Sequence, residues 1–235
     1  MLCVLSYKFD SGETMKTDLK NVIAGCALFA CSSVAFAAPI IWTPAQNTSA
    51  ASDVATVGSL VEAVNANTTS TGSITVNTVE FANVNNLLGD SFAGALSGAS
   101  VADVDYASLL NSFNYGGGIS TSLVLADGLL SNGADYLVQV WFTDLRSAYS
   151  GRVMTYGDGG TVNLNGSSGD LGQFALGSFT ADGNSQSLAL ASNGFKNTHI
   201  TGYQVRQVTR DVPEPSSLLL MGLGLFGLRL IARRR

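Results

Sequence analysis

The chain has 235 residues and a formal net charge of −5, and its charged fraction of 12% is about half of that in an average soluble domain. Between Ala38 and Val212 there are 13 acidic residues against five basic ones, which argues against a nucleic-acid partner. The length allows one domain plus targeting segments, and the other seven Lys and Arg residues lie before Ala38 or after Pro215, where they indicate membrane targeting.

The N-terminal segment predicts a signal helix within residues 1–37, with Met15 as the true start. A positively charged stretch with Lys16 and Lys20 precedes an apolar core over residues 22–30. Ala35 and Ala37 then fit an A-x-A cleavage site, so we expect export through the Sec machinery and cleavage after Ala37.

The signal peptide also contains every cysteine of the chain. Because Cys3, Cys26 and Cys31 precede the cut, the mature protein is expected to have no disulfide and no thiolate metal site. Lipidation of Cys26 or Cys31 is the alternative. The short apolar stretch before Cys26 and the bulky Phe29 before Cys31 argue against it.

Residues 38–211 predict a single all-β domain, a jelly-roll-like β-sandwich with one short helix. Stretches of alternating apolar and polar residues, separated by Gly, Asn and Asp turns, predict the strands. They lie at residues 40–43, 58–64, 74–84, 119–125, 136–142, 152–156, 161–164, 172–180, 187–190 and 199–208. Helical spacing over residues 103–115 predicts the helix, with Asp103 or Asp105 as its cap and Gly116 at its end.

Two parts of this domain resemble known β-sandwiches. The segment YLVQVWFTDLRSAYSGRVMTYGDGG (residues 136–160) resembles a stretch of malectin-like and galactose-binding-like jelly rolls. The later GSFTADGNSQSLAL and ITGYQVRQV resemble their closing strands. The resemblance implies an architecture rather than an activity.

No established catalytic motif is present, and neither a G-x-S-x-G elbow, an H-E-x-x-H motif nor a P-loop occurs. The single histidine, His199, is interpreted as a strand-edge residue. A pair of carboxylates for glycoside cleavage is an open alternative, and its candidates are Asp103, Asp144, Asp158 and Asp170. Each also fits a cap or a turn, so we expect no enzymatic activity.

No cofactor is expected, and structural calcium is the one metal hypothesis. Jelly-roll domains hold calcium through Asp and backbone oxygens, and Asp103, Asp105 and the Asp182-Gly183-Asn184 turn are the candidates. No EF-hand spacing occurs, so an ordinary turn is the competing interpretation.

The strand at 136–142 predicts a carbohydrate-binding face. If Tyr136, Val138, Val140 and Phe142 point into the core, the alternate residues point to the other side. The candidate sugar-binding residues are Gln139, Trp141 and Thr143 on that face, with Asp144, Arg146 and Arg152 at its edge.

A competing interpretation is that residues 85–118 cover Trp141 and form a second small core. The predicted strand register also predicts that Val140→Ala destabilises the fold and that Gln139→Ala does not.

The C-terminal segment VPEPSSLLLMGLGLFGLRLIARRR (residues 212–235) combines three features. Pro213, Glu214 and Pro215 form an extended stretch, residues 216–232 are long enough for a short transmembrane helix, and Arg233, Arg234 and Arg235 stop transfer. An ordinary tail anchor is the alternative.

In this order, the three features resemble the PEP-CTERM sorting signal. That resemblance implies export by a Gram-negative exopolysaccharide producer and transient anchoring in the inner membrane. It also implies recognition by the membrane protease exosortase, followed by delivery to the cell surface or the matrix. Three classes of cargo remain open: a non-enzymatic matrix protein, a module that binds exopolysaccharide, and a polysaccharide-active enzyme.

We expect the surface-exposed protein to lack both ends. The A-x-A site predicts a cut after Ala37, and the proline-flanked glutamate predicts a second cut near residues 213–215. Mass spectrometry of the protein recovered from outside the cell measures both new termini. Recovery of a form that retains Arg233, Arg234 and Arg235 would contradict the second cut.

Overall fold

The computed structural model describes residues 39–157 and 159–209. The predicted signal peptide with Ala35 and Ala37, the candidate Asp158, and the C-terminal segment lie outside the described residues. That segment includes the residues of the predicted sorting motif, which are Pro213, Glu214, Pro215, Arg233, Arg234 and Arg235. Within the described ranges, no helix is long and apolar enough to cross a membrane.

The described chain is mainly β-structure with one α-helix, as predicted. The helix, α1, spans Val104–Leu110. The strands are β1 (Ile41–Trp42), β2 (Gln46–Asn47), β3 (Ser59–Ala66), β4 (Ser73–Val76), β5 (Val79–Val84), β6 (Gly89–Ala93), β7 (Ser112–Gly116), β8 (Ser120–Leu125), β9 (Asp135–Phe142), β10 (Val153–Tyr156), β11 (Val162–Asn165), β12 (Gln173–Thr180), β13 (Gln186–Asn193), β14 (Thr198–Ile200) and β15 (Gly202–Val208).

Two sheets form the main body of this domain. The larger has the order β1-β12-β9-β15-β3-β5-β4, with β2 beside β12, and the smaller has the order β11-β10-β13-β8. Val138, Val140 and Phe142 of β9 share one core with residues of the smaller sheet such as Met154 and Leu188. This shared core is the arrangement that a β-sandwich requires, whereas the jelly-roll topology stays a prediction.

The opposite face of the larger sheet is also covered. Trp141 of β9 is 0% exposed and belongs to a second core with Phe81, Phe174, Tyr106 and Leu109. Trp141 meets Phe81 edge to face, with 5.8 Å between ring centroids. Because α1 lies in residues 85–118, the covered-core interpretation is confirmed, and the prediction of an exposed tryptophan on a sugar-binding face is wrong.

Gln139 is buried in this second layer and makes three hydrogen bonds. Its Oε1 accepts from the Ala55 N–H at 2.9 Å and from Nε2 of Gln204 at 2.7 Å, and its Nε2 donates to the Asp53 carbonyl at 2.6 Å. Thr143 is likewise 0% exposed, and its hydroxyl donates to the Leu171 carbonyl at 2.8 Å. Neither side chain is available to a sugar, and Gln139 ties the chain around residues 53–55 to the sheet.

The helix is shorter than predicted. Asp103 caps it as expected, because the Tyr106 N–H donates to its carboxylate at 2.8 Å. The helix ends at Asn111 rather than at Gly116, and β7 follows directly. Phe113 fits the helical spacing, but it pairs with Phe92 of β6 in a three-stranded sheet of order β14-β7-β6. Strand pairing across the chain thus overrides the local periodicity.

We expect Trp141→Ala to lower the free energy of unfolding by about 3–5 kcal/mol, because it empties the centre of the second core. The sequence predicts that Gln139→Ala leaves the fold stable, but the buried hydrogen bonds of Gln139 contradict this. The substitution should cost about 1–3 kcal/mol, since buried partners lose their hydrogen bonds. Urea unfolding measures both. Gln207→Ala, in the same sheet but exposed, is the matched control and should change stability by less than about 0.5 kcal/mol. Equal changes in the free energy of unfolding for Gln139→Ala and Gln207→Ala would contradict the stabilising role of the buried Gln139 hydrogen bonds.

Candidate ligand-binding site

A cavity of about 290 Å³ lies beyond the end of β9 and is called the aromatic cavity below. It is formed by the three-stranded sheet, the loop after β9 and the loop between β13 and β14. Its lining residues are Phe92, Phe113, Tyr115, Arg146, Tyr149, Arg152, Phe195, Lys196, Asn197 and His199. Five aromatic rings and three basic side chains therefore share one concave surface.

The three-stranded sheet forms one wall through its register. Phe92 lies opposite Phe113, and Tyr115 lies opposite His199. Phe92 and Phe113 stack with their centroids 5.3 Å apart, and Tyr115 stacks on the His199 ring at 5.6 Å. Residues two apart point to the same face of a strand, so this pairing places four rings together.

Asp144, two residues beyond β9, organises the opposite wall. Its carboxylate is 0% exposed and accepts from Nε and Nη2 of Arg146, at 2.7 and 3.0 Å, and from Nη1 of Arg152, at 2.9 Å. The Arg146 contact is bidentate, which fixes the plane of the guanidinium group. One buried carboxylate thus holds two cations at the cavity wall.

Gly166 supports this ion cluster from behind. The Asp144 N–H donates to its carbonyl at 2.8 Å, and its own N–H donates to the Arg152 carbonyl at 3.1 Å. A side chain does not fit here, since a Cβ atom on Gly166 would lie 2.7 Å from the Phe142 ring. The Asn165-Gly166 turn therefore lets the backbones of Asp144 and Arg152 approach each other.

Aromatic rings fix the faces of both guanidinium groups. Tyr149 lies 4.2 Å from the guanidinium carbon of Arg146 and 4.2 Å from that of Arg152. Phe92 contacts Arg146 at 4.2 Å, and Phe195 contacts Arg152 at 4.5 Å. Cation–π contacts of this kind contribute about 0.5–2 kcal/mol each, so the arginines are pre-oriented before any ligand arrives.

His199 is buried in β14 and has a defined tautomer. Nη1 of Arg152 donates to its Nε2 at 2.8 Å, and its Nδ1 bonds the Asn197 carbonyl at 3.0 Å. Since Arg152 has no lone pair to offer, the proton of the neutral ring is on Nδ1. Burial and the charge of Arg152 lower the pKa of His199 to about 3.

The structure divides the six predicted sugar-binding residues into two groups. Asp144, Arg146 and Arg152 meet at the aromatic cavity, whereas Gln139, Trp141 and Thr143 are buried elsewhere. Seven other residues of the lining were not predicted from the sequence, and His199 was predicted only as a strand-edge residue. The spacing Arg146-x-x-Tyr149-x-x-Arg152 is the signal from which the cavity could have been found.

Of the other candidate carboxylates, those that the structure describes have local structural roles outside this site. Asp103 caps α1, and Asp170 lies in a 3₁₀ turn over Ser168–Asp170. Asp182 and Gly183 lie in the loop between β12 and β13. Over residues 39–157 and 159–209, no three His, Cys, Asp or Glu residues are grouped so that they could hold a metal ion. Structural calcium stays a hypothesis.

Comparison with known proteins identifies the C-terminal segment. Residues 211–235 match the family model described as the PEP-CTERM protein-sorting motif. The resemblance of the tail is therefore confirmed, and the chain carries a motif that exosortase recognises. Neither a curated protein nor a solved structure matches the chain.

We expect His199, the only histidine of the chain, to stay neutral between pH 5 and pH 8. Its stabilising contribution is complete above the unfolded pKa of about 6.5 and decreases as the pH falls towards the folded value of about 3. Between pH 6.5 and pH 5 this loss is about 1.5 kcal/mol.

Urea unfolding at these two pH values, with His199→Gln as the control, isolates the loss. The variant should show a smaller change, because the glutamine does not titrate. An imidazole carbon resonance that titrates near pH 6.5 in the folded protein would contradict the buried, neutral ring.

Proposed function

We propose that this chain is a non-enzymatic protein of the cell surface or extracellular matrix, sorted by exosortase, from a Gram-negative exopolysaccharide producer. The PEP-CTERM motif at residues 211–235 carries the proposal, because it supports export and recognition by exosortase. We further propose that its β-domain binds a saccharide of the matrix in the aromatic cavity.

The direction of the strands supports a domain that is sorted by its C-terminal segment and binds a saccharide in the aromatic cavity. Pro39 and Val208, near the two ends of the described chain, line one shared surface depression. Val208 pairs with Asp135 at the start of β9, whereas Gly202 pairs with Trp141 near its end. The aromatic cavity follows β9, so it is roughly 23 Å from the exit of the chain. A domain held by its C-terminal segment would therefore present the cavity away from the membrane.

The composition of the cavity favours a saccharide. Sugar rings have apolar faces that stack on aromatic side chains and hydroxyl groups that need fixed polar partners. Tyr149 and Phe195 supply half-exposed rings, and Asn197 and the arginines supply polar groups beside them. At about 290 Å³, the volume is at the lower end of the roughly 300–1,000 Å³ of small-molecule sites, which fits about one sugar unit.

Binding suits this site better than catalysis does. Both carboxylate oxygens of Asp144 already accept from guanidinium groups, and both ring nitrogens of His199 are hydrogen-bonded. A general base needs a free lone pair within reach of the substrate. Arg152 occupies the Nε2 lone pair of His199, and Asp144 is 0% exposed, so neither group presents an accessible lone pair. The proposed role is therefore recognition.

We expect full-length protein in a mild detergent to bind a subset of saccharides on a glycan array. Phe195→Ala should abolish this binding, because it removes a stacking surface that is only half buried. Ile119→Ala, which truncates a 68% exposed apolar side chain outside the cavity, is the matched control and should bind like the wild type. An array without any signal, or binding that survives Phe195→Ala, would overturn the saccharide proposal.

A further inference from the structure

We propose that the sugar taken by the aromatic cavity is acidic, with a carboxylate that binds at Arg146 and Arg152. This inference rests on the proposed saccharide binding and names the ligand class of that same site. A uronic acid unit within a polysaccharide has the required chemistry, namely one ring and one carboxylate.

The basic residues of the domain are concentrated at the aromatic cavity. Between Ala38 and Val212 the basic residues are Arg146, Arg152, Lys196, Arg206 and Arg210. Three of these five line the aromatic cavity, although the chain as a whole has a net charge of −5. Such a concentration of cations in an acidic chain attracts an anion to this surface.

The acidic groups nearby leave this excess in place. Asp144 neutralises one of the two guanidinium charges that it contacts. Asp90 lies on the exposed outer strand β6, where it accepts from the Tyr115 hydroxyl at 2.6 Å. With His199 neutral, the Arg146–Arg152–Asp144 cluster carries one uncompensated positive charge, and exposed Lys196 adds another at the edge. One carboxylate would balance the cluster.

The Nε–H of Arg152 is an unsatisfied hydrogen-bond donor beside the cavity. Arg152 is 5% exposed, and its Nε–H is buried without a hydrogen-bond partner. Leaving a buried donor unpaired destabilises the protein, and more so when the group is charged. An acceptor on a ligand in the cavity that Arg152 lines would recover this free energy. A carboxylate suits the planar guanidinium group better than a single hydroxyl does.

The guanidinium groups of Arg146 and Arg152 are held in fixed positions before a ligand binds. Both guanidinium groups are held by Asp144 and stacked on Tyr149. Little side-chain entropy is lost when a ligand binds to groups that are already ordered. A fixed pair of cations also discriminates between charged and neutral sugars more sharply than flexible lysines do.

The test compares matched probes on the full-length protein in a mild detergent. Isothermal titration calorimetry is run with oligogalacturonate, oligoglucuronate and oligomannuronate, each beside its neutral methyl ester, and with a sulfated oligosaccharide. We expect at least one uronate to bind about tenfold or more tightly than its ester, and this difference should shrink at high salt.

Two variants locate the effect. Arg146→Gln removes a partly exposed cation and should weaken uronate binding about tenfold while leaving the weaker binding of the ester unchanged. Val104→Glu changes the net charge by the same amount at an 80% exposed position of α1. An acid at the helix N-terminus is tolerated, so this control should bind uronate like the wild type. Thermal unfolding confirms that both variants are folded.

The outcomes separate the two proposals. If esters or neutral sugars bind as tightly as uronates, the acidic ligand is overturned and saccharide binding stands. If the sulfated probe binds more tightly than every uronate, the proposal that the acidic group of the ligand is a carboxylate is overturned. Uronate binding that is equal in Arg146→Gln and Val104→Glu overturns the assignment to these arginines. If no probe binds, both proposals fail.

Discussion

The burial of β9 on both faces is the constraint on which the rest of the domain depends. Val138, Val140 and Phe142 point into the core between the sheets, while Gln139 and Trp141 point into the second core. The strand also pairs along its length with β12 and β15, so its backbone hydrogen bonds are satisfied on both sides. A strand fixed in this way has one register, because a slip by one residue would exchange its two faces.

The same constraint creates the charged wall of the cavity. Because β9 ends in the interior, the chain delivers Asp144 to a position with no solvent exposure. A buried carboxylate is costly unless it is paired, and Arg146 and Arg152 supply the pairs. Removal of one partner from such a cluster costs about 3–5 kcal/mol in general. The ion cluster is therefore part of the fold. Its uncompensated positive charge is also the basis of the proposed binding of an acidic sugar.

The topology also connects the binding surface with the sorting signal. β15 runs from Gly202, beside the cavity end of β9, to Val208, beside its start. The PEP-CTERM motif follows two residues after Thr209, the last described residue. Thus one strand separates the proposed binding site from the segment that exosortase recognises. Cleavage at the motif would leave the cavity and both cores of the described domain intact.

The sequence by itself determined the mainly β-structure, a helix capped by Asp103 or Asp105, and the sorting motif, because each depends on residues that are close together in the chain. The structure selected Asp103. Only the tertiary structure decided that both faces of β9 are buried. The alternation of β9 showed two faces, but covering one of them requires α1 to pack on it. The sequence did not predict β6 and β7, since these short strands pair with each other through residues 19 to 27 positions apart, from Ala93↔Ser112 to Gly89↔Gly116. These strands bring Phe92 and Tyr115 to the cavity. No local pattern indicates this wall of the site, unlike the wall with Arg146, Tyr149 and Arg152, whose spacing is visible in the sequence.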